Sequence, residues 1–191
     1  MEALFGILTA FGLSASAGLN AYIPLLIVGV VAHYTDWISL TAPYDLLANP
    51  WVLIVVGILL IIEMLADKFP AVNHVNDAIQ TVIRPAAGAI VFAASANVIT
   101  DLNPAIAIIC GLLVAGSVHT VKAAAIRPAI TATTGGTANI PVSIVEDIIA
   151  TTLSILSIVL PILVVIFITL VIFLVVWWLR RRKQRKSQQT T

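Results

Sequence analysis

The side chains able to do chemistry are few in this chain, and they fall into three groups set among long apolar runs. The densest group holds Glu63, Asp67, Lys68, Asn73, His74, Asn76, Asp77, Thr81 and Arg84. Glu63 and Asp67 are four residues apart, which puts both carboxylates on one face of a helix. Held that way they repel, and one takes up a proton unless a cation lies between them, a part open to Lys68, Arg84 or a bound ion. The bland alternative is a polar loop in which Asn76 or Asp77 caps the helix that follows.

A second group runs from His119, Lys122 and Arg127-Pro128 through Thr133-Thr134-Gly135-Gly136-Thr137-Ala138-Asn139-Ile140-Pro141 to Ser143 and Glu146-Asp147. The glycine pair breaks the helix, leaving Thr or Asn139 to cap the next one with Pro141 in its first turn. Glu146 and Asp147 lie beyond the reach of the helix dipole at that start, so one of them is expected to face protein, water or Lys122. The third group is Ser14 to Pro24, with Asn20 and Tyr22. Its small residues allow close helix packing, while Pro24 removes one helical hydrogen bond near Asn20. The functional reading is an unwound point whose free backbone groups and Asn20 amide face a cavity, as in the broken helices of transporters.

These groups need elements to hold them, and composition says what kind. Apolar residues make up 60% of the 191 and charged residues 10%, and the mean hydropathy is +1.08. Nine acids and ten bases cannot cover the surface of a soluble fold this size. Lipid is therefore part of the solvent. At about 20 residues per crossing, the uncharged runs mark spans at Phe5 to Val31, Trp51 to Leu65, Pro85 to Ile99 and Pro104 to Ala125, and an apolar block at Ile140 to Leu179. That last block is about twice the hydrocarbon thickness as one helix, so it is expected to bend or break at Pro161. The fold class read from this is all-α integral membrane, a compact bundle of five or six transmembrane helices with broken helices. It forms one transmembrane domain over residues 1–179 and a basic cytoplasmic tail over 180–191.

Six of the ten bases fall between Arg180 and Lys186, and the other four are Lys68, Arg84, Lys122 and Arg127. The positive-inside rule puts all of them on the cytoplasmic face. That needs six spans with both termini cytoplasmic, and five spans with one long final helix is the alternative. Trp37, Trp51 and Trp177-Trp178 suit the headgroup level. Met1 to Phe5 has no base ahead of its apolar run, so it reads as mature sequence rather than a cleavable signal. The lone Cys110 reads as a small packed side chain.

Two internal echoes stand out. Gly18 to Val28 aligns without gaps to Gly135 to Val145, with the Gly, Ala, Ile-Pro and Ile-Val positions coinciding, and Ile83-Arg84-Pro85-Ala86 matches Ile126-Arg127-Pro128-Ala129. An internal repeat is one reading. Paired breaks in two halves are a sequence pointer to a transporter's central site.

Taken together, Gly18-Leu19-Asn20-Ala21-Tyr22-x-Pro24, Glu63-x-x-Ala66-Asp67-Lys68-x-Pro70, Arg84-Pro85-x-x-Gly88-Ala89, His119-x-x-Lys122 and Glu146-Asp147 resemble a bacterial family of multi-pass membrane proteins of unknown function, DUF4126. The resemblance covers nearly the whole chain up to the basic tail. It implies a fold and no activity; the location expected for the chain is the cell (inner) membrane. In that family the position of Asn73 is often acidic, so the departure here weakens a carboxylate-only metal site.

The function expected first is a small-solute or ion transporter or channel, proton- or cation-coupled, with the two glycine-proline breaks meeting near mid-membrane. Its candidate binding residues are Asn20, Tyr22, Glu63, Asp67, Lys68, Asp77, Arg84, His119, Lys122, Arg127, Asn139, Glu146 and Asp147. The alternatives are a structural or assembly protein and a membrane-embedded enzyme acting on lipid substrates, the last without a recognisable catalytic motif. No cofactor is expected and no metal is assigned. The expected partners are the lipid bilayer, an unidentified small solute or ion and, as an option, further copies of the chain, with no nucleic acid.

Overall fold

A computed structural model describes residues 2–66, 70–96 and 102–161, with isolated positions as far as 173; the side chains of 2, 3, 70–75 and 77 fall outside that description. The described chain is helical, as expected from its composition. In order come α1 (Glu2–Leu19), α2 (Tyr22–Tyr34), a 3-10 turn (Tyr44–Ala48), α3 (Pro50–Ala66), α4 (Pro70–Ala96), α5 (Pro104–Val121), a π segment (Lys122–Ile126), α6 (Arg127–Thr134) and α7 (Asn139–Val159). Three stretches are long and apolar enough to cross a bilayer: Ala78–Ala96, Pro104–Thr134 and Asn139–Val159. Leu4–Leu19, Tyr22–Tyr34 and Pro50–Ala66 are shorter apolar helices.

The expected first span, Phe5 to Val31, is two helices instead of one. Asn20 is the reason. Its Oδ1 accepts from the N–H groups of Tyr22 at 3.1 Å and Ile23 at 3.2 Å, capping the start of α2. Pro24 then occupies the first turn of α2, where a missing N–H costs nothing. The chain turns back at this point. Phe5, Gly6 and Thr9 of α1 line one cleft with Asp36 to Ser39, beyond the end of α2. Between those ends and the tip, Leu13 and Val28 belong to one core cluster. The 13 residues of α2 rise about 20 Å, short of a hydrocarbon core of about 30 Å. The α1–α2 pair is therefore a helical hairpin whose buried tip, Asn20 and Ala21, lies inside the bundle. Irregular backbone at membrane depth is tolerated only in such a buried place.

From the hairpin the chain runs alternately away and back. Helix α3 starts beside Gly29, whose Cα faces Leu47 and Leu53, and ends with Glu63 against Arg84 of α4. Helix α4 returns, bringing Phe92 into one cluster with Ala10, midway along α1. Helix α5 descends beside it, and α7 climbs back until Ile158 to Pro161 share a cleft with Phe5. Leu160 leaves helical geometry and Pro161 follows, so the long apolar block does break where expected. Phe5 to Thr9 thus stand at the end of the bundle that carries Asp36, whereas the even-span scheme had them on the face of the bases. Arg84, Lys122 and Arg127 all sit towards the opposite end, around the hairpin tip. The tail after 173 and Lys68 lie outside the described residues.

Helix α4 is a second departure. Pro70 to Arg84 continues one 27-residue helix through Pro85, where a loop capped at Asn76 or Asp77 was the bland expectation. Asn76, Gln80 and Arg84 are buried and recur every four residues, so the polar side chains share one inward face. A similar continuation makes Pro104–Thr134 one rod of 31 residues. Asn103 caps it, its Oδ1 accepting from the Ala105 N–H at 2.9 Å.

Small residues set the centre of the packing. Gly88 and Gly111 bring the backbones of α4 and α5 together, and Gly18 of α1 sits over the carbonyl of Ala115. Hydroxyls of α1 then bond across to carbonyls of its neighbours, Ser14 to Gly111 at 2.8 Å and Ser16 to Ala150 at 2.8 Å. The Ser14 to Gly18 stretch is therefore a packing seam, and the break is confined to Asn20 and Ala21.

Candidate functional site

The tip of the hairpin is surrounded by charge. Glu63 sits near the end of α3, about 20 Å along the axis from Pro50, and Arg84 meets it from α4. Arg84 places both Nε, at 3.2 Å, and Nη2, at 2.9 Å, on Glu63 Oε1, with the two side chains 0% and 1% exposed. Of the cations open to Glu63, Arg84 is the one it meets; its carboxylate neighbour Asp67 lies outside the described residues. The same guanidinium puts Nη1 3.2 Å from His119 Nδ1. A guanidinium only donates, so Nδ1 must accept, and His119 is neutral with its proton on Nε2. That proton goes to Thr81 Oγ1 at 3.2 Å. Tyr22 opens α2 at the tip, its N–H held by Asn20.

On the other side of the tip, Lys122 donates to the carbonyl of Leu19 at 2.9 Å. Its Nζ also lies 2.8 Å from Glu146 Oε2, a contact of charges without the angle of a hydrogen bond. Arg127 approaches the same oxygen at 3.5 Å. Asn20 Nδ2 donates to Asp147 Oδ1 at 3.0 Å, so the amide that caps α2 also fastens the tip to α7. Both carboxylates of the Glu146-Asp147 pair are buried, and one faces Lys122 as expected.

The π segment is what lets Lys122 and Arg127 share Glu146. Five residues along an α-helix turn a side chain by about 140°. The Arg127 N–H instead bonds the Lys122 carbonyl, an i to i+5 bond that stacks the two residues on one side. Pro128 follows at once and cannot donate to the preceding turn, which favours the wider coil there. Such bulges recur at functional sites.

Of the candidate residues, Asn20, Tyr22, Glu63, Arg84, His119, Lys122, Arg127, Glu146 and Asp147 come together in this belt. Asn139 does not. Its Nδ2 donates to Thr131 Oγ1 at 3.2 Å within the exposed turn between α6 and α7. That turn, with Gly135 at φ 62° and Gly136 at φ 89°, starts α7 without a side-chain cap. The two glycine-proline breaks therefore do not meet. They share a local design, since Pro24 and Pro141 are each the third residue of the returning helix, but one turn is buried and the other exposed. Asp67 and Lys68, and the side chain of Asp77, lie outside the described residues.

The residue reading missed two participants. The Leu19 carbonyl has no side-chain signature, although the Asn20 to Pro24 break was its signal. Gln80 is buried on the polar face of α4, and its four-residue spacing from Asn76 and Arg84 could have found it. Among the described residues no three His, Cys, Asp or Glu side chains gather as a metal site requires. The belt does meet open space. A cleft of about 530 Å³ lies between α2, α3 and α7, with Ile23, Leu60, Met64 and Ile144 on its walls and Asp147 and Thr151 among its polar lining.

No curated protein and no solved structure matches the chain. The model of one family does, the domain of unknown function DUF4126, over residues 7–181. A match of that length, joined to an apolar helical bundle, means that the chain belongs to the DUF4126 family.

Proposed function

We propose that this protein is a transporter or channel for a small solute or ion, working at the tip of the α1–α2 hairpin. One observation carries the reading: Asp147 joins the cap of the broken helix, through Asn20, to a cleft between α2, α3 and α7. Ionisable groups kept inside an apolar bundle are costly, and a working pathway is a usual reason for keeping them. On this reading a proton or cation reaching Asp147 weakens its bond to Asn20. The N-terminal turn of α2 then loses part of its support, and the tip shifts between arrangements. Lys122 and Arg127, gathered on Glu146, supply the opposite charge for a coupled step.

The test is flux in proteoliposomes, read with a trapped pH-sensitive dye under an imposed potassium gradient. Asp147→Asn and Glu146→Gln keep the shapes of both side chains, and each is expected to abolish proton-coupled flux while the protein stays folded. Unchanged flux in both variants counts against transport.

A structural or assembly role is a second reading. It is favoured by the near-complete mutual burial of Glu63 and Arg84, which bond each other across two helices. It expects the same variants to lower folded yield or self-association with no flux to lose.

A further inference from the structure

At the hairpin tip Lys122 bonds a main-chain carbonyl. In a continuous helix the Ile23 N–H would bond the Leu19 carbonyl; here it goes to Asn20 Oδ1 instead. The Leu19 carbonyl is thereby released at the C-terminus of α1, where the helix dipole is negative. The Lys122 ammonium takes it at 2.9 Å and reaches Glu146 Oε2 at 2.8 Å. Released carbonyls at half-helix C-terminal ends coordinate sodium in broken-helix transporters, and here a carboxylate stands beside one.

We propose that the Leu19 carbonyl and the Glu146 carboxylate form a monovalent-cation site at the hairpin tip, in which the Lys122 ammonium is the tethered occupant. When the amine is removed, potassium or sodium takes its place. The charge of the site sets the class of ion. One carboxylate and one neutral carbonyl, with the Arg127 guanidinium 3.5 Å from the same oxygen, leave too little negative charge for a divalent, calcium-like ion. Asn20 keeps the carbonyl released, and its bond to Asp147 keeps Asn20 in place. The site goes beyond the transport reading and does not need it, since binding is measured here without flux.

The experiment follows the unfolding midpoint of purified full-length protein in potassium or sodium chloride, with N-methylglucamine chloride holding ionic strength constant. Wild type is expected to be insensitive to the swap, because its site is filled. Lys122→Ala is expected to melt lower in N-methylglucamine and to rise by about 5–10 °C once potassium or sodium exceeds its dissociation constant about a hundredfold. Adding Glu146→Gln to Lys122→Ala is expected to remove that rise. The proposal is overturned if Lys122→Ala is as indifferent as wild type, if wild type responds equally, or if the double variant still responds. Lys122→Ser serves where the alanine variant yields no folded protein. Failure of both to fold in saturating potassium and sodium also overturns it, since a filled site would restore the contact.

Discussion

Breaking the Glu63–Arg84 pair should detach the inner end of α3. Apart from Val56, Glu63 is the buried residue by which α3 is held, and the rest of its surface is largely exposed isoleucine, leucine and valine. Replacing Glu63 with Gln leaves a fully buried guanidinium without its counter-charge on α3, and removing one partner of a buried pair costs about 3–5 kcal/mol. For a chain of this size that is a fall of about 10 °C in the unfolding midpoint. Arg84→Met should cost a similar amount, since it leaves Glu63 buried and withdraws the donor from His119 Nδ1. The double variant Glu63→Leu with Arg84→Met should recover most of the loss, because an apolar pair needs no counter-charge. Cys110 makes the assay direct: it is the chain's single cysteine and is partly buried, so a thiol-reactive dye reports unfolding. Single variants melting within about 2 °C of wild type, or a double variant showing the plain sum of both losses, would refute the reasoning.

Two further predictions concern the packing seam and the hairpin tip. Gly111→Ala places its new methyl 2.6 Å from Phe92 Cβ and 2.7 Å from Ala89 Cα, so the α4–α5 contact must open, at a cost of about 1–3 kcal/mol. Gly57→Ala meets nothing within 4 Å and should be neutral or stabilising by up to about 1 kcal/mol; equal melting of the two variants would contradict the proposed seam. Asn20→Ala loses the cap on Tyr22 and Ile23 together with the bond to Asp147, about 2–4 kcal/mol in all. Asn20→Ser keeps a capping oxygen and should melt between alanine and wild type, an order that the same dye assay checks.

Much of this was legible in the residues. Hydropathy alone required a helical membrane protein, because ten per cent charged residues cannot dress a soluble surface. Pro24 and Pro161 marked where the helices break, since a missing N–H acts within one turn of the chain; that Asn20 caps the returning helix was decided by the structure. The buried belt was also marked, because an ionisable side chain in an apolar run demands a partner. The partners themselves were not. That Glu63 goes to Arg84, and Glu146 to Lys122 and Arg127, depends on which helices lie side by side and on a π turn that no local preference announces. The direction of α2 was hidden for the same reason. A run of apolar residues from Phe5 to Val31 is long enough to cross a bilayer, and only packing against α3, α4 and α7 folds it back. Sequence fixed which side chains could not face lipid, through the cost of desolvation; tertiary structure alone decided which of them meet, because pairing rests on distances between segments far apart in the chain.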